Sequence, residues 1–62
     1  MTYEIGQALS WLPANDWEAP QVVYVQAIRR GGKALLSNGW IVDEDGYADG
    51  SARRPGGKVV AA

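Results

Sequence analysis

Residues 21–46, QVVYVQAIRRGGKALLSNGWIVDEDG, contain the clearest signals for the fold of this chain. Its runs of aliphatic and aromatic residues are interrupted twice, by Gly31-Gly32 and by Asn38-Gly39. Both dipeptides tolerate the positive φ angles that the two-residue loops of β-hairpins require. The stretch therefore predicts three consecutive antiparallel strands joined by two tight turns.

Two-residue loops would also fix the register of these strands, because loop length sets which residues oppose each other. Ile28 would then face Leu35, which would in turn face Val42. Side chains alternate between the two faces of a strand. One face would carry Val23, Val25, Ala27, Ala34, Leu36 and Ile41. The other would carry Val22, Tyr24, Gln26, Ile28, Leu35, Trp40 and Val42.

Both faces of this predicted meander are apolar, whereas an antiparallel sheet with one solvated face shows polar residues there. We therefore expect the second face to be covered by the rest of the chain, by a second copy or by a partner. Three aromatic side chains are expected to belong to the core, where they would supply large apolar area: Trp11, Tyr24 and Trp40.

The flanking segments predict two further strands. Residues 3–12 combine apolar residues at helical spacing with Gly6 inside the segment and Pro13 after it. We favour an irregular strand with a bulge at Gly6 and leave a short helix open. Residues 13–20, PANDWEAP, are typical of a proline-bounded loop. Residues 46–57 indicate a long loop or loose hairpin, and Lys58–Ala61 a last short strand.

These elements predict one all-β domain over residues 1–62, either a small five-stranded barrel or a strongly bent antiparallel sheet. Closure of such a sheet removes exposed strand edges. The alternative is a short N-terminal helix packed on a three- to four-stranded meander. A chain of 62 residues buries only about 60% of its unfolded surface, so its margin of stability is expected to be thin.

The order of these signals resembles that of small SH3-like barrels encoded by bacteriophages and mobile elements. The features that carry the resemblance are, in chain order, Ile5-Gly6, the proline-bounded loop, Val22-Val23-x-Val25-x-x-Ile28, a tight turn, Leu35-Leu36, Asn38-Gly39-Trp40, Val42-Asp43, Asp45-Gly46 and Gly50. The resemblance implies a five-stranded SH3-like barrel. Such barrels bind proteins, RNA or DNA, so the fold leaves the function open.

The residue types that catalysis needs most often are missing. The chain has no histidine and no cysteine, so it lacks the usual general base, the commonest metal ligand and any thiolate. Its serines therefore have no base with which to form a catalytic triad. We expect no enzymatic activity and no cofactor.

The sequence also indicates where in the cell the protein is expected. No apolar run is long enough to span a bilayer, and the first residues, MTYEIGQ, lack the features of a signal peptide. The absence of cysteine suits a reducing compartment. We therefore expect a cytoplasmic protein without membrane association. The net charge of -1 predicts no general attraction to nucleic acid.

Acidic residues concentrate in one segment. Four of the seven carboxylates lie close together in the chain: Asp43, Glu44, Asp45 and Asp49. The spacing Asp43-x-Asp45-Gly46 is similar to the opening of a calcium loop, but Arg54 stands where that loop needs a bidentate Glu. We predict an acidic turn with Gly46 in the left-handed conformation, and no metal site.

Loops on a rigid scaffold are where binding residues concentrate. We predict that the acidic segment contacts a partner protein with a basic surface, with Trp17 and Tyr47 as aromatic anchors. Trp17 lies between Asp16 and Glu18, and an aromatic side chain flanked by charges is typical of an interface anchor. The alternative for Trp17 is a lid over the second face of the sheet.

Basic residues form a second set of candidates, for anion or nucleic-acid binding: Arg29, Arg30, Lys33, Arg53, Arg54 and Lys58. In the predicted register Arg30 and Lys33 oppose each other at the tip of the first hairpin, and like charges in that position repel. We therefore expect a carboxylate of the acidic segment, or an external acidic group, to approach this tip.

The resemblance and the small size favour a non-enzymatic, phage-type accessory protein that binds and inhibits or redirects a host protein complex, as anti-defence and anti-CRISPR proteins do. It would act in the cytoplasm of a bacterial host, with its acidic segment mimicking the phosphates of a nucleic acid. Two alternatives stay open. One is a small nucleic-acid-binding barrel, and the other is a self-associating structural protein, which would form homodimers or larger assemblies.

Overall fold

The computed structural model describes residues 2–48 and 56–62, and every regular element in these ranges is a β-strand. The strands are β1 (Ala8–Leu12), β2 (Gln21–Arg29), β3 (Lys33–Leu36), β4 (Ile41–Val42) and β5 (Lys58–Ala61). Neighbours pair antiparallel in the order β4-β3-β2-β1-β5, and the sheet curls strongly into a half-barrel. The predicted all-β fold is confirmed. The alternative with an N-terminal helix is wrong, because β1 occupies that segment.

The curl originates in β2, which at nine residues is long enough to serve two partners. Its first half pairs with β1 and its second half with β3. The register shifts between Val25 and Ala27, and such a bulge bends a strand and increases its twist. Ser37 holds the bend: its amide donates to the Tyr24 carbonyl at 2.8 Å, and its hydroxyl accepts from the Tyr24 amide at 3.0 Å.

The two edge strands are linked by the short segment after β4. Ala48 bridges to Val42 of β4, and Tyr47 bridges to Lys58 of β5. The Val59 amide adds a hydrogen bond of 2.7 Å to the carbonyl of Gly46. The segment thereby pairs part of both edges, which reduces the exposed backbone that an open sheet would present.

The core lies on the inner face of the curl. Its buried side chains are Tyr3, Leu9, Trp11, Val23, Val25, Ala34, Leu36, Val42 and Val59. Trp11 stacks on the half-buried Trp40 with ring centroids 5.9 Å apart and planes inclined by 20°. The predicted core positions of these two residues are therefore supported. Tyr24 is 52% exposed, so its predicted place in the core is wrong. It alternates with the inward-facing Val23 and Val25.

The predicted register of the first hairpin is wrong. Arg29, not Arg30, pairs with Lys33, so the loop has three residues instead of two. The bulge in β2 adds a second shift, and Leu36 pairs with Val25 instead of Ala27. Two shifts of one residue return a side chain to the same face. The predicted faces of Val25 and Leu36 are correct for this reason. Between the bulge and the loop only one shift applies, so Ile28, predicted on the outer face, pairs with the buried Ala34, and Ala27 pairs with Leu35.

The register of the second hairpin differs from the predicted register by one residue. This single shift has a different consequence from the two shifts between β2 and β3. The loop comprises residues 37–39, with Leu35 opposite Ile41 and Ala34 opposite Val42. Gly39 has a φ of +91° and supplies the left-handed residue that closes a three-residue hairpin loop. Because one shift reverses the face, Val42 is buried where Ile41 was predicted.

The N-terminal segment joins the sheet through a turn. The Gln7 amide donates to the Glu4 carbonyl at 3.0 Å, and the Gly6 amide donates to the Val25 carbonyl at 2.8 Å. Gly6 therefore lies in the turn that leads into β1, not in a bulge within the strand as predicted. Within the described ranges, no helix is long and apolar enough to cross a membrane.

The outer face of β2 lacks the cover that was expected for it. Val22 is 56% exposed and Tyr24 is 52% exposed. Trp17 is 84% exposed, so its alternative role as a lid over this face is wrong. The described part of the chain therefore leaves an apolar outer face open to solvent.

Candidate functional site

The acidic segment forms a third hairpin loop of three residues, at residues 44–46. Asp43 and Tyr47 face each other, with the Asp43 amide donating to the Tyr47 carbonyl at 2.9 Å. The Gly46 amide donates back to the Asp43 carbonyl at 3.0 Å, and Gly46 has a φ of +92°. A turn followed by a left-handed glycine is the usual form of such loops. The predicted acidic turn with Gly46 in that conformation is confirmed.

The carboxylate of Asp43 holds this loop together. Its Oδ1 atom accepts hydrogen bonds from the amides of Asp45 at 2.9 Å and Tyr47 at 3.0 Å. Asp side chains commonly fix turns in this way. The described residues contain no group of three or more side chains arranged to hold a metal ion. Asp43 is therefore explained by its role in the turn, and its Oδ1 atom is directed at the chain's own backbone.

Tyr3 fastens the acidic turn to the core. Its ring is buried, and its hydroxyl donates to the Asp43 carbonyl at 2.5 Å. Burial raises the pKa of Tyr3, and the negative charges of Asp43 and Asp45 raise it further. Both causes disfavour the phenolate. The hydroxyl thus remains a donor to Asp43 well into the alkaline range.

The acidic turn and the basic hairpin tip are neighbours. A Cβ atom at Gly32 would lie 3.4 Å from the Cβ of Glu44 and 3.6 Å from its Oε2 atom. The expected approach of a carboxylate to this tip is therefore observed. The directly opposed cations are Arg29 and Lys33, and Arg30 lies in the loop itself. The predicted opposition of Arg30 and Lys33 is wrong because the loop is one residue longer.

A shallow groove of about 240 Å³ opens beside Tyr47. Its lining residues are Leu12, Pro13, Ala14, Tyr47, Gly56, Gly57 and Lys58. Two of them are glycines because their neighbours come very close. A Cβ at Gly57 would collide with the Leu12 carbonyl oxygen, and one at Gly56 would lie 2.6 Å from the Cβ of Ala48.

Trp17 stands on the loop that continues from this groove. The loop turns at residues 15–18, where the Glu18 amide donates to Oδ1 of Asn15 at 3.0 Å. Trp17 is 84% exposed, and Tyr47 is 57% exposed. Pro13 and Pro20 restrict the backbone at the two ends of the loop. The two predicted aromatic anchors are therefore both presented to solvent, on the two segments associated with the groove.

The other predicted site residues are divided among several places. Lys58 begins β5, where it bridges to Tyr47 and lines the groove, so it is not part of the basic hairpin tip. Three more lie outside the described residues: Asp49, Arg53 and Arg54.

Sequence reasoning missed the role of Tyr3 and the groove itself. The pair Gly56-Gly57 was the available signal for the groove, since adjacent glycines often mark close backbone approach.

Comparisons with protein-family models, with curated proteins and with solved structures find no significant match to this chain.

Proposed function

We propose that this protein is a non-enzymatic binding module that recognises a basic surface of a partner protein. Its contact surface comprises the Trp17 loop, the groove beside Tyr47 and the acidic turn at residues 43–47. The observation that carries this proposal is the 84% exposure of Trp17 on a hydrogen-bonded turn. A tryptophan has the largest apolar side chain, and exposing it to water has no benefit for the isolated fold.

The Trp17 loop is suited to binding because little order must be gained when a partner is bound. The Asn15 side chain fixes the turn from within, and Pro13 and Pro20 restrict its ends. Pre-ordered contact residues reduce the entropy lost on association. Tryptophan and tyrosine are also the residue types on which binding energy concentrates at interfaces.

The groove supplies a second anchoring position. Tyr47 lines it with a half-exposed aromatic ring, and Leu12 and Pro13 add apolar surface. The glycines at positions 56 and 57 leave its surface without side chains of their own. An apolar side chain of a partner could enter here while Trp17 packs beside it.

The carboxylates near the proposed contact surface indicate which kind of partner it would bind. Asp16 and Glu18 flank Trp17, and Asp45 is exposed in the acidic turn. Carboxylates around an apolar contact favour a partner with lysine and arginine at the matching positions, and they raise the rate of encounter. Such a surface is the kind that also binds nucleic-acid phosphates, so occupation by this protein would block it.

The resemblance to phage-encoded SH3-like barrels supports a biological setting for this binding. In that setting the protein is an accessory factor in the cytoplasm of a bacterial host. It inhibits or redirects a host protein complex by occupying a nucleic-acid-binding surface, in the manner of anti-defence and anti-CRISPR proteins.

The test is capture of partners from bacterial lysate on the immobilised chain, followed by affinity measurement with the captured protein. Tyr47→Ser is expected to weaken binding at least about tenfold, as loss of an interface anchor does. Tyr24→Ser is the matched control, because Tyr24 is exposed to a similar degree and lies on a different surface. Trp17→Ser is expected to have a larger effect than Tyr47→Ser. Equal binding by the three variants would refute the proposal.

A second experiment examines charge. Glu44 and Asp45 are replaced together by lysine, while Asp43 is kept because its carboxylate holds the turn. Weaker affinity and a smaller dependence on salt are expected, since screened charge attraction is being removed. Nucleic acid serves as the competing ligand. Tight, strongly salt-dependent binding of DNA or RNA to the wild-type chain would favour the nucleic-acid alternative instead.

A further inference from the structure

The outer face of the sheet carries an uncharged and mainly apolar strip that the proposed function does not use. Ser10 of β1 pairs with Val22 of β2 on one side and with Val60 of β5 on the other. In the next row Ala8 pairs with Tyr24. Directly paired residues share a face of the sheet. These five side chains therefore form two adjacent rows, here called the outer strip.

The outer strip is exposed and uncharged. Val22 is 56% exposed, Tyr24 is 52% exposed and Val60 is 39% exposed. Contiguous apolar patches of this kind on small proteins mark interaction surfaces. An uncharged apolar face binds best to another face of the same character, because a charged partner would lose hydration without gaining an ion pair.

We propose that the occupant of the outer strip is a second copy of this chain, related by a two-fold axis near Tyr24. The second copy offers a face with the required character. The net charge of -1 per chain produces little repulsion between copies. A two-fold interface is self-complementary, so a residue near the axis contacts its own counterpart. Tyr24 is the largest side chain of the strip and lies near the middle of β2, and it takes that central position.

The charges that flank β2 favour the antiparallel arrangement that such an axis requires. Asp16 and Glu18 precede the strand, and Arg29 and Arg30 follow its outer apolar residues. Antiparallel packing of two β2 strands brings the acidic end of one copy towards the basic end of the other. Parallel packing would align like charges. Glu44, which lies against Gly32, offsets part of the positive charge but not all of it.

The size of the strip sets the expected strength of the dimer. A standard interface buries roughly 800 Å² per partner, which is about a fifth of the 4306 Å² accessible surface of this chain. An apolar strip of a few hundred Å² forms only the centre of such an interface. The dimer is therefore weak and reversible, with dissociation in the micromolar to millimolar range.

Sedimentation velocity tests the proposal, over protein concentrations from about 10 μM to about 1 mM, where weak interfaces dissociate. The wild-type chain is expected to shift from monomer to dimer across this range. Tyr24→Lys and Tyr24→Asp are each expected to stay monomeric, because each places two like charges at the axis. An equimolar mixture of the two variants is expected to restore a dimer through a Lys–Asp pair. Far-UV circular dichroism checks that both variants keep the fold.

The matched control is Tyr47→Lys, which adds the same charge at a tyrosine outside the strip and is expected to dimerise like the wild type. A wild-type chain that stays monomeric up to about 1 mM would overturn the proposal, as that limit corresponds to negligible affinity. So would a Tyr24→Lys variant that dimerises like the wild type. Failure of the mixture to associate would overturn the placement of the axis. Because partner capture depends on Tyr47 and dimerisation on Tyr24, failure of one proposal leaves the other standing.

Discussion

Tyr3 shows how one side chain can fix a turn that is distant in the sequence. Its hydroxyl bonds to a backbone carbonyl 40 residues away. Nothing in the local sequence around Tyr3 predicts this contact, because a backbone carbonyl has no residue identity to recognise. The buried ring could be predicted as generally apolar, but its polar partner is set by how the curl of the sheet places Asp43 above it.

Replacing Tyr3 with Phe keeps the ring and removes the hydrogen bond to Asp43. The expected loss is about 1 kcal/mol of unfolding free energy, the usual contribution of such a bond when the freed acceptor can still reach water. Urea denaturation at neutral pH measures it. A loss above about 3 kcal/mol would instead indicate that the ring packing had changed, as large core effects do.

The raised pKa of Tyr3 predicts a dependence of stability on pH. The group is neutral when protonated and its folded pKa lies above the unfolded value of 10.0. Above that value the unfolded state therefore binds fewer protons than the folded state, and stability falls as pH rises through the folded pKa. Below pH 10.0 the contribution is fully present. The difference between wild type and Tyr3→Phe should accordingly shrink in strongly alkaline solution.

Among the elements, a three-residue hairpin loop occurs three times, and the two loops that flank β4 are alike. Residues 37–39 and 44–46 both end in a glycine with a φ just above +90°, and an aromatic residue follows each glycine: Trp40 and Tyr47. In each loop a side-chain oxygen accepts a hydrogen bond from the amide of this aromatic residue. The acceptors are Oδ1 of Asn38 and Oδ1 of Asp43. The two loops therefore use the same local chemistry at opposite ends of β4.

The sequence could predict these turns but not their length. Asn38-Gly39 fits a two-residue loop with two positive φ angles and equally a three-residue loop with one. The choice depends on which register buries more apolar area over the whole sheet. In β4 the observed register buries Val42 and leaves Ile41 half-buried, and that outcome cannot be read from the dipeptide.

The acidic turn offers a prediction that separates hydrogen bonding from charge. Asp43→Asn retains an Oδ1 acceptor for the amides of Asp45 and Tyr47, so stability should change little. Asp43→Ala removes the acceptor and is expected to cost about 1–2 kcal/mol, as loss of a turn or cap side chain does. Thermal unfolding of both variants measures the difference. Asp45→Ala is the control, since the hydrogen bonds seen among the described residues of the turn involve the side chain of Asp43 and not that of Asp45.

At the scale of the whole molecule, the half-barrel is a single layer curled around its own core. The strands and the apolar inner face follow from the sequence, because alternation and turn residues mark them. The uncovered outer face could not be predicted, because an apolar strand pattern is the same whether its second face meets the chain, a second copy or solvent. A barrel predicts closure between β4 and β5, but the segment that links them, residues 46–48, lies in a range whose sequence indicates only a long loop or a loose hairpin.

Two neighbouring valines of β5, Val59 and Val60, allow a test of how this strand packs on the core. Val59 is buried on the inner face, while its neighbour Val60 points outward. Val59→Ala is expected to cost about 2 kcal/mol through lost apolar burial and the cavity left behind. Val60→Ala should leave the stability of the monomer nearly unchanged. Guanidinium denaturation at low protein concentration compares them. Equal costs would mean that β5 does not pack as described.

The three tryptophans occupy three different environments. Trp11 is buried, Trp40 is stacked on it at the margin of the core, and Trp17 stands in water. Indole emission moves to longer wavelength as its surroundings become more polar. Unfolding would therefore shift the fluorescence emission of Trp11 and Trp40 to longer wavelength. The emission of Trp17, which is already hydrated, would shift to shorter wavelength only when another molecule covers this side chain. The chain thus carries separate optical reporters of its folding and of its encounters.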